Sequence, residues 1–351
     1  MRTGWDAGSI LNMVDPASII RQVTGQLRVV YSTPSAASVA ELVSARYDLG
    51  EIQNCAFLNR GFNDTFAVHT SDRGSYVARL SGRRLRGDAD VASETAFLAY
   101  LAAAGIPVAA AVPARDGALF TEAGAPEGLR PMVLFQRVIG RRPEPDSMQD
   151  ARAQGMTLAR IHHAAEGYPN RAGGRYRLDL DHLLHRPLSV VSGLPHVSAA
   201  TREYLAALAF RLTNILTALD GLTMTRCHGD CHGGNARIDG NTATFFDFDD
   251  GGFGYVAYDL AVYLWAQVSF GRQHYHMWHG FIQGYRSVCQ IKPGDLNAVR
   301  LFVAVRHVWL LGEYAGRIKE WGSGNVPARF FDQQADFLRA WEKRQLAPSL
   351  L

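Results

Sequence analysis

Long apolar runs and lysine are the two features that this 351-residue sequence largely lacks. No stretch of 18 apolar residues occurs, so no transmembrane helix is predicted. The first residues carry acidic side chains and lack the apolar core of a secretory signal. Lysine stands at only three positions, Lys292, Lys319 and Lys343. We expect a cytoplasmic protein with no membrane partner.

Charge and cysteine content exclude further classes of protein. The formal net charge of +3 is too small to predict a nucleic-acid partner. Four cysteines in a chain of this length predict no disulfide framework. Hydrophobic residues at 47% and charged residues at 20% are typical of a globular protein, and the length suggests two domains or lobes.

Short runs of β-forming residues dominate the first part of the chain. After a helix predicted at residues 38–47, turn residues separate strands predicted at 51–58, 63–70 and 75–80, a pattern typical of antiparallel hairpins. A helix capped by Asp88 or Asp90 follows, together with three more strands. These elements are predicted at residues 88–104, 108–113, 118–121 and 131–135.

Helical periodicity dominates after residue 140, interrupted by predicted strands at 236–238 and 242–246. Residues 165–198 are predicted to be loops around short turns. We therefore predict an α+β, two-lobed fold with a ligand cleft between the lobes. It comprises an extension at 1–35, a small antiparallel-sheet lobe at 36–138 and a larger, mainly helical lobe at 139–351. The helices of that lobe are predicted at 147–164, 199–219, 258–268, 275–289, 295–314 and 328–342.

The segment HGDCHGGN, residues 228–235, followed by FDFDD at 246–250, is the strongest chemical signal. Phosphoryl transfer needs a carboxylate that orients the acceptor hydroxyl and oxygen ligands that hold a metal ion against the phosphates. Asp230 suits the first role. Asn235, across a Gly-Gly bend, and Asp247, at the end of a strand, form an oxygen-only pair that suits Mg²⁺.

A second half of the site is predicted in the small lobe. Arg79 lies in the third predicted strand and Glu94 in the helix that follows, an order typical of the cation–carboxylate pair that holds nucleotide phosphates in kinases. Gly61 and Asn63 occupy the turn between the first two strands, over the expected nucleotide. An exposed surface pair of Arg79 and Glu94 is the alternative interpretation.

Together these residues resemble the aminoglycoside phosphotransferase and choline kinase superfamily, which shares the protein-kinase-like fold. HGDCHGGN and FFDFDD are most similar to its bacterial stress-response kinase and type II homoserine kinase branch. The resemblance implies ATP and Mg²⁺ as cofactors, with Asp230 as catalytic base, Asn235 and Asp247 as metal ligands and Arg79 as phosphate holder. Many relatives carry lysine in place of Arg79, which leaves a preference for GTP over ATP open.

The resemblance also assigns supporting residues. Glu94 is the expected partner of Arg79, and Asp259 a buried carboxylate that braces the catalytic loop. Residues 133–138, with Phe135, Gln136 and Val138, are the expected hinge whose backbone meets adenine. His228 is expected to brace the loop, and Asp249 or Asp250 to assist at the metal or to meet a cationic substrate.

Structural interpretations compete with some of these roles. Cys227, His228, Cys231 and His232 could form a zinc site, but no second ligand pair of matching spacing follows. We expect the cysteines and His232 to take no part in catalysis, and His162 to be a hydrogen-bonded core residue. The glycine-rich residues 251–254 are expected to be a flexible loop rather than a dinucleotide-binding turn.

The predicted activity is an ATP- and Mg²⁺-dependent transfer of the γ-phosphate to a hydroxyl of a small molecule, such as an amino acid, amino alcohol, sugar or aminoglycoside-like compound. A protein serine/threonine kinase and a nucleotide-binding pseudoenzyme are the alternatives, and a homodimer is an open alternative to a monomer. The expected partners are ATP and the acceptor. Mixed charges at residues 165–198 could meet an amino-acid or sugar acceptor, and a solvated surface is the equal alternative. They are Arg171, Arg175, Arg177, Asp179, Asp181, His182 and His185.

Overall fold

A computed structural model describes residues 27–82, 87–169 and 177–346 of the chain. Most of the predicted extension, and Arg171 and Arg175, lie outside the described residues. The described part consists of a small sheet-containing lobe followed by a larger helical lobe. Among the described residues, no helix combines the length and the apolar character that a membrane crossing requires.

The small lobe is built on an antiparallel sheet with the strand order β1-β2-β3-β5-β4. Arg79 lies on β3, opposite Thr65 of β2 and Val133 of β5, so neighbouring strands hold its backbone on both sides. The strands are β1 (Ile52–Arg60), β2 (Asn63–Thr70), β3 (Ser75–Ser81), β4 (Thr121–Ala125) and β5 (Gly128–Gln136).

The two faces of this sheet pack against different helices because side chains alternate along a strand. Met132 and Leu134 of β5 lie in a core with helix α1 (Ala36–Arg46). Val133 and Phe135 face the other way, into the core that contains helix α2 (Asp88–Ala103). Asp90 caps the start of α2 by accepting a hydrogen bond from the backbone N–H of Gly87 at 2.9 Å. The helix is thereby fixed on the sheet face that carries Arg79.

The helical lobe surrounds a large apolar core, and its central helix α6 is almost entirely buried. Short strands between the helices form a three-stranded sheet, β6-β10-β7, and a hairpin, β8-β9. These strands are β6 (Arg177–Leu178), β7 (Met224–Cys227), β8 (Ala236–Asp239), β9 (Thr242–Phe245) and β10 (Gly252–Tyr255). The helices are α3 (Met148–Glu166), α4 (Arg186–Ser192), α5 (Ala199–Ala218), α6 (Val256–Val268), α7 (Met277–Arg286), α8 (Pro293–Gly316), α9 (Ile318–Trp321) and α10 (Ala328–Trp341).

Four predicted segments differ from the structure. Residues 108–113 form isolated bridges at Val108 and Ala111 rather than a strand, and the predicted strand at 118–121 is wrong because β4 begins at Thr121. Residues 165–198 contain α4, preceded by a π-helical turn at Asp181–His185. Residues 252–255 pair with β7 and β6, so the expected flexible loop is wrong for them.

Helices α3 and α7 cross with their backbones in close contact, and glycine makes this approach sterically accessible. A Cβ atom on Gly155 would lie 1.9 Å from the carbonyl oxygen of Phe281, and one on Gly284 would lie 1.9 Å from that of Arg152. Both contacts are far shorter than van der Waals distance. Since α3 also packs on β7 and β9, this crossing fixes the scaffold beneath the loop that follows β7.

The substitution Gly155→Ala should destabilise the protein even though alanine favours a helix by about 1 kcal/mol over glycine. Forcing the helices apart costs roughly 1–3 kcal/mol, so we expect the free energy of unfolding in a urea titration to fall. Gly294→Ala, in the first turn of α8 with no atom within 4 Å of the new Cβ, is the control and should be neutral or stabilising. Equal stability of the two variants would contradict the close-packing argument.

Candidate active site

The loop that follows β7 is held by the carboxylate of Asp259, near the start of α6. Asp259 accepts hydrogen bonds from the backbone N–H groups of His228 at 2.7 Å and Gly229 at 2.8 Å. Gly229 has φ of +82°, and a Cβ there would lie 2.0 Å from the carbonyl oxygen of Asp250. Only glycine fits this left-handed position beside another backbone, so the loop geometry depends on both residues.

His228 makes two hydrogen bonds with the backbone around the same loop. Its Nδ1 accepts from the backbone N–H of Asp230 at 3.2 Å, and its Nε2 donates to the carbonyl oxygen of Phe246 at 3.2 Å. Burial lowers the pKa of His228, which keeps the ring neutral and able to accept at Nδ1. The ring therefore ties Asp230 to the strand end that precedes Asp247.

Three side chains surround the carboxylate of Asp230. Asn235 Nδ2 donates to Asp230 Oδ2 at 3.0 Å, Arg306 donates to Oδ1 at 2.5 Å, and His232 Nε2 lies 3.4 Å from Oδ2. Burial opposes ionisation, but the charges of His232 and Arg306 hold the pKa of Asp230 below its ordinary value. His232, which was expected to take no part, thus lies in direct reach of Asp230.

Arg306 is the residue that sequence reasoning missed. It lies on α8 and is 2% exposed, with its guanidinium carbon 4.2 Å from the ring centroid of Trp309 and 5.1 Å from that of Trp265. It also donates to the hydroxyl of Tyr258 at 3.2 Å. An arginine within an apolar helical run is the signal that could have found it, because a buried cation requires an anionic partner.

Asp247 follows β9 with φ of +66°, a left-handed conformation that is strained for a residue with a side chain. The preceding residue, Phe246, donates its N–H to the carbonyl oxygen of Asn235 at 3.0 Å, so the two predicted metal ligands lie on adjacent backbone. Partial loss of hydration and the charge of Asp249 raise the pKa of Asp247, whose side chain is 38% exposed. The loop thus concentrates negative charge that a divalent cation would neutralise.

Arg79 and Glu94 form a buried, two-point ion pair at 2.8 and 2.6 Å. Arg79 NH1 also lies 3.3 Å from Asp247 Oδ1. Burial acts to lower the pKa of Arg79, but the charge and hydrogen bonds of Glu94 outweigh it and the net shift is upward. The pair is therefore part of the cleft rather than an exposed surface pair.

The turn between β1 and β2 also reaches the helical lobe. Asn63 Nδ2 donates to Asp249 Oδ2 at 2.7 Å, and Asn63 Oδ1 accepts from the backbone N–H of Gly82 at 3.1 Å. Gly61 lies at the exposed tip and donates its N–H to the carbonyl oxygen of Asn63 at 3.0 Å. The structure thus brings Asn63 and Asp249, both predicted from sequence, into contact.

The segment that joins the lobes runs beside β8. Phe135 is buried with its ring centroid 5.1 Å from the guanidinium carbon of Arg79, Gln136 is exposed and Val138 is half-buried. Beyond them, Arg141 and Ile238 exchange backbone hydrogen bonds of 3.0 and 2.8 Å. The predicted hinge is therefore anchored to the strand that directly follows Asn235.

The histidine and cysteine side chains near the loop are occupied by hydrogen bonds. His162 is a buried core residue whose Nε2 lies 2.9 Å from Asp259 and whose Nδ1 lies 2.8 Å from the Tyr285 hydroxyl. Cys227 Sγ bonds backbone carbonyls, as does Cys231 Sγ, and burial raises the pKa of both thiols. His162, Cys227 and Asp259 lie close together, but these bonds already satisfy them.

The side chains expected to meet an acceptor make local contacts where the structure describes them. Arg177 packs over the ring of Phe253 at 5.3 Å. Asp179 accepts from the backbone N–H of His182 at 3.0 Å, and His185 Nε2 lies 2.9 Å from the Thr213 hydroxyl. Asp181 is exposed on the π-helical turn. Their part in acceptor binding therefore stays a prediction.

The small sheet, the helical lobe and the carboxylate-lined cleft between them define a two-lobed, protein-kinase-like phosphotransferase. Residues 55–291 match the family model described as "Phosphotransferase enzyme family", and the chain belongs to that family. The resemblance drawn from the sequence, the α+β fold and the assignment as an enzyme are thereby confirmed.

Known proteins similar to this chain include several kinases. A Deinococcus radiodurans protein described as uncharacterized is 38% identical over 90% of this chain and 92% of its own length. The homoserine kinase of Allorhizobium ampelinum is 27% identical over 73% of this chain and 78% of its own.

Two solved structures share the fold. A microcompartment-associated aminopropanol kinase has a TM-score of 0.73 at 22% identity, covering 88% of this chain and 98% of its own. The amicoumacin kinase in complex with AMP-PNP and Ca²⁺ has a TM-score of 0.71 at 18% identity, covering 86% and 93%.

The substitution Glu94→Ala should strongly destabilise the protein, because it leaves the guanidinium of Arg79 buried without its main partner. Breaking a buried pair in this way costs about 3–5 kcal/mol, and the contact with Asp247 places the expected loss at the lower end. Urea unfolding checks the value. Glu144→Ala, which breaks the exposed pair with Arg141, is the matched control and should cause no measurable change. A Glu94 variant as stable as this control would show that the buried pair is dispensable.

Proposed function

We propose that this protein transfers the γ-phosphate of ATP to a hydroxyl group of a small molecule, with Asp230 orienting that hydroxyl. The observation that carries the proposal is the arrangement around Asp230. One of its oxygens is held by Arg306, and the other faces Asn235 and His232. A carboxylate fixed in this way accepts a hydrogen bond from an incoming hydroxyl with little loss of entropy.

The charge of Arg306 favours an orienting role for Asp230 over early proton removal. Phosphoryl transfer passes through a loose transition state, in which positioning and electrostatics supply most of the rate enhancement. The carboxylate is ionised when the acceptor binds. As the new O–P bond forms and the bond from the γ-phosphorus to the ADP oxygen breaks, it receives the hydroxyl proton, which it can then pass to water. His232, 31% exposed at its side chain, offers a route for that proton.

We propose Asn235 and Asp247 as the residues that would hold Mg²⁺. The nitrogen of the Asn235 amide is engaged by Asp230, which leaves the amide oxygen for a ligand, and the Asp247 side chain is 38% exposed. This oxygen-only set suits a hard cation. Mg²⁺ would supply Lewis-acid stabilisation of the phosphate oxygens.

We propose Arg79 as the cation that contacts the phosphates of the nucleotide. Its two-point bond to Glu94 fixes the guanidinium plane, and its NH1 group points to Asp247. Glu94 occupies the fork of the two terminal nitrogens, so the phosphate oxygens would meet the positive charge and Nε, which has no hydrogen-bond partner among the described residues. We assign nucleotide binding to residues 36–138 and acceptor binding to residues 139–351.

The similar proteins support a small hydroxyl-bearing acceptor. The names of homoserine kinase and aminopropanol kinase both contain a small compound with an amino group and a hydroxyl group. The nucleotide analogue and divalent cation in the amicoumacin kinase complex support the cofactor assignment. A small amino alcohol or hydroxy amino acid is therefore the acceptor class to test first.

A panel of hydroxyl compounds incubated with labelled ATP and Mg²⁺ tests the acceptor class. Homoserine, aminopropanol, sugars, an aminoglycoside and a protein extract form its arms. We expect label in one of the small molecules. Label confined to the protein extract would favour the protein kinase alternative, and nucleotide binding without any transfer would favour the pseudoenzyme.

Asp230→Asn should reduce turnover by about 10²–10⁴-fold, the usual contribution of a positioned acid–base group. Asparagine preserves the volume of Asp230, whereas alanine would leave Arg306 facing an empty space. Turnover is measured as ADP release in the presence of an accepted substrate, and Mg·AMP-PNP affinity by calorimetry. The affinity should change little because Asp230 is not a proposed nucleotide contact.

Asp239→Asn, at the exposed turn between β8 and β9, is the matched control and should retain full turnover. Activity of the Asp230 variant within a few-fold of this control would remove Asp230 from the reaction.

A further inference from the structure

The two lobes touch at a second place that the proposed chemistry does not use. Phe62, in the β1–β2 turn, stacks on Trp321 of α9 with ring centroids 5.8 Å apart and ring planes 2° from parallel. The guanidinium carbon of Arg317 lies 4.0 Å from the centroid of the Phe62 ring. One residue of the small lobe is thus in contact with two residues near the end of α8.

The receiving surface is a fixed structure rather than a pair of loose side chains. Arg317 is 8% exposed, and its NH1 donates to Glu313 Oε2 at 2.8 Å and to the Glu313 carbonyl oxygen at 3.0 Å. Tyr314 packs edge-on against Trp321 at 5.3 Å and stacks on Phe330 of α10. The orientation of Arg317 and Trp321 is therefore determined before Phe62 docks.

The β1–β2 turn is held at two adjacent points. Phe62 is fixed to Arg317 and Trp321, while Asn63 is bonded to Asp249, two residues beyond Asp247. Neither contact alone would define the height and angle of the turn over the cleft. Together they fix the turn relative to the proposed metal and phosphate site.

Helix α8 connects this contact with the catalytic carboxylate. Arg306 on α8 bonds Asp230, and Arg317, the C-cap of the same helix, follows roughly three turns further on. The same helix therefore carries Arg306, which contacts Asp230, and ends at Arg317, which contacts the β1–β2 turn.

We propose that Phe62, Arg317 and Trp321 form an interlobe clasp that positions the β1–β2 turn over the nucleotide phosphates and couples nucleotide binding to α8. This proposal rests on the function proposed above. The three side chains are positioning residues: they hold the turn, and the turn contacts the nucleotide. Stacked aromatic rings and a cation over a ring prefer the geometry seen here, so the contact favours one position of the turn.

Calorimetric binding of Mg·AMP-PNP to the full chain tests the clasp. Phe62→Ala and Trp321→Ala should each weaken affinity on the order of tenfold, since each removes an aromatic stack and disturbs its cation contact. Phe62→Tyr and Trp321→Phe keep a ring in place and should bind within about twofold of the wild type. Normal affinity in the variants that keep a ring, against weak affinity in the alanine variants, distinguishes a positioning role from a general loss of structure. The ring-keeping variants can still be measured where an alanine variant fails to fold.

The double variant Phe62→Ala/Trp321→Ala adds a second readout. If both residues act through one contact, its affinity should equal that of the weaker single variant rather than the product of both losses. Phe57→Ala, a half-exposed ring on β1 outside the turn, is the matched control and should bind as the wild type does.

Two results would overturn the clasp. Alanine variants that bind Mg·AMP-PNP within twofold of the wild type would show that the turn needs no anchor, and multiplicative losses in the double variant would show two separate effects. A wild-type protein that binds no Mg·AMP-PNP would instead refute the proposed function itself, so the two failures are distinguishable.

Discussion

The carboxylate of Asp259 accepts hydrogen bonds from the backbone of His228 and Gly229, and the polar groups of the cleft are arranged around that contact. Those bonds set the direction in which the chain leaves β7, and hence where Asp230 lies. His162 also bonds Asp259, and the Tyr285 hydroxyl in turn bonds His162. A buried carboxylate is costly unless all its partners are present, so this network locks the loop into one conformation.

Much of this arrangement follows from local sequence patterns. Alternating residues and turn signals predict β2 and β3 closely, and helical periodicity predicts α2 and α3. Because β3 is followed along the chain by α2, the sequence alone predicts the pairing of Arg79 with Glu94. Asp230, Asn235 and Asp247 are predicted in the same way, since they lie within one short segment, and the structure places Asn235 in contact with Asp230.

The remainder depends on contacts between distant segments, which leave little trace in local patterns. Residues 252–255 form a strand only because β7 and β6 supply partners, and their glycines alone predict a loop. Residues 108–113 have the composition of a β-strand but form only isolated β-bridges. Arg306 and the Phe62–Trp321 stack join parts of the chain far apart in sequence, and no periodicity points from one to the other.

The position of Arg306 on α8 has a consequence for the synthesis of the chain. Ribosomes produce the small lobe and the segment containing Asp230 first, and α8 emerges only afterwards. Until then Asp230 lacks its cationic partner and the β1–β2 turn lacks Arg317 and Trp321. A nascent chain therefore carries the complete HGDCHGGN segment before Arg306 is present, and the arrangement around Asp230 forms only when α8 has folded onto the earlier part of the chain.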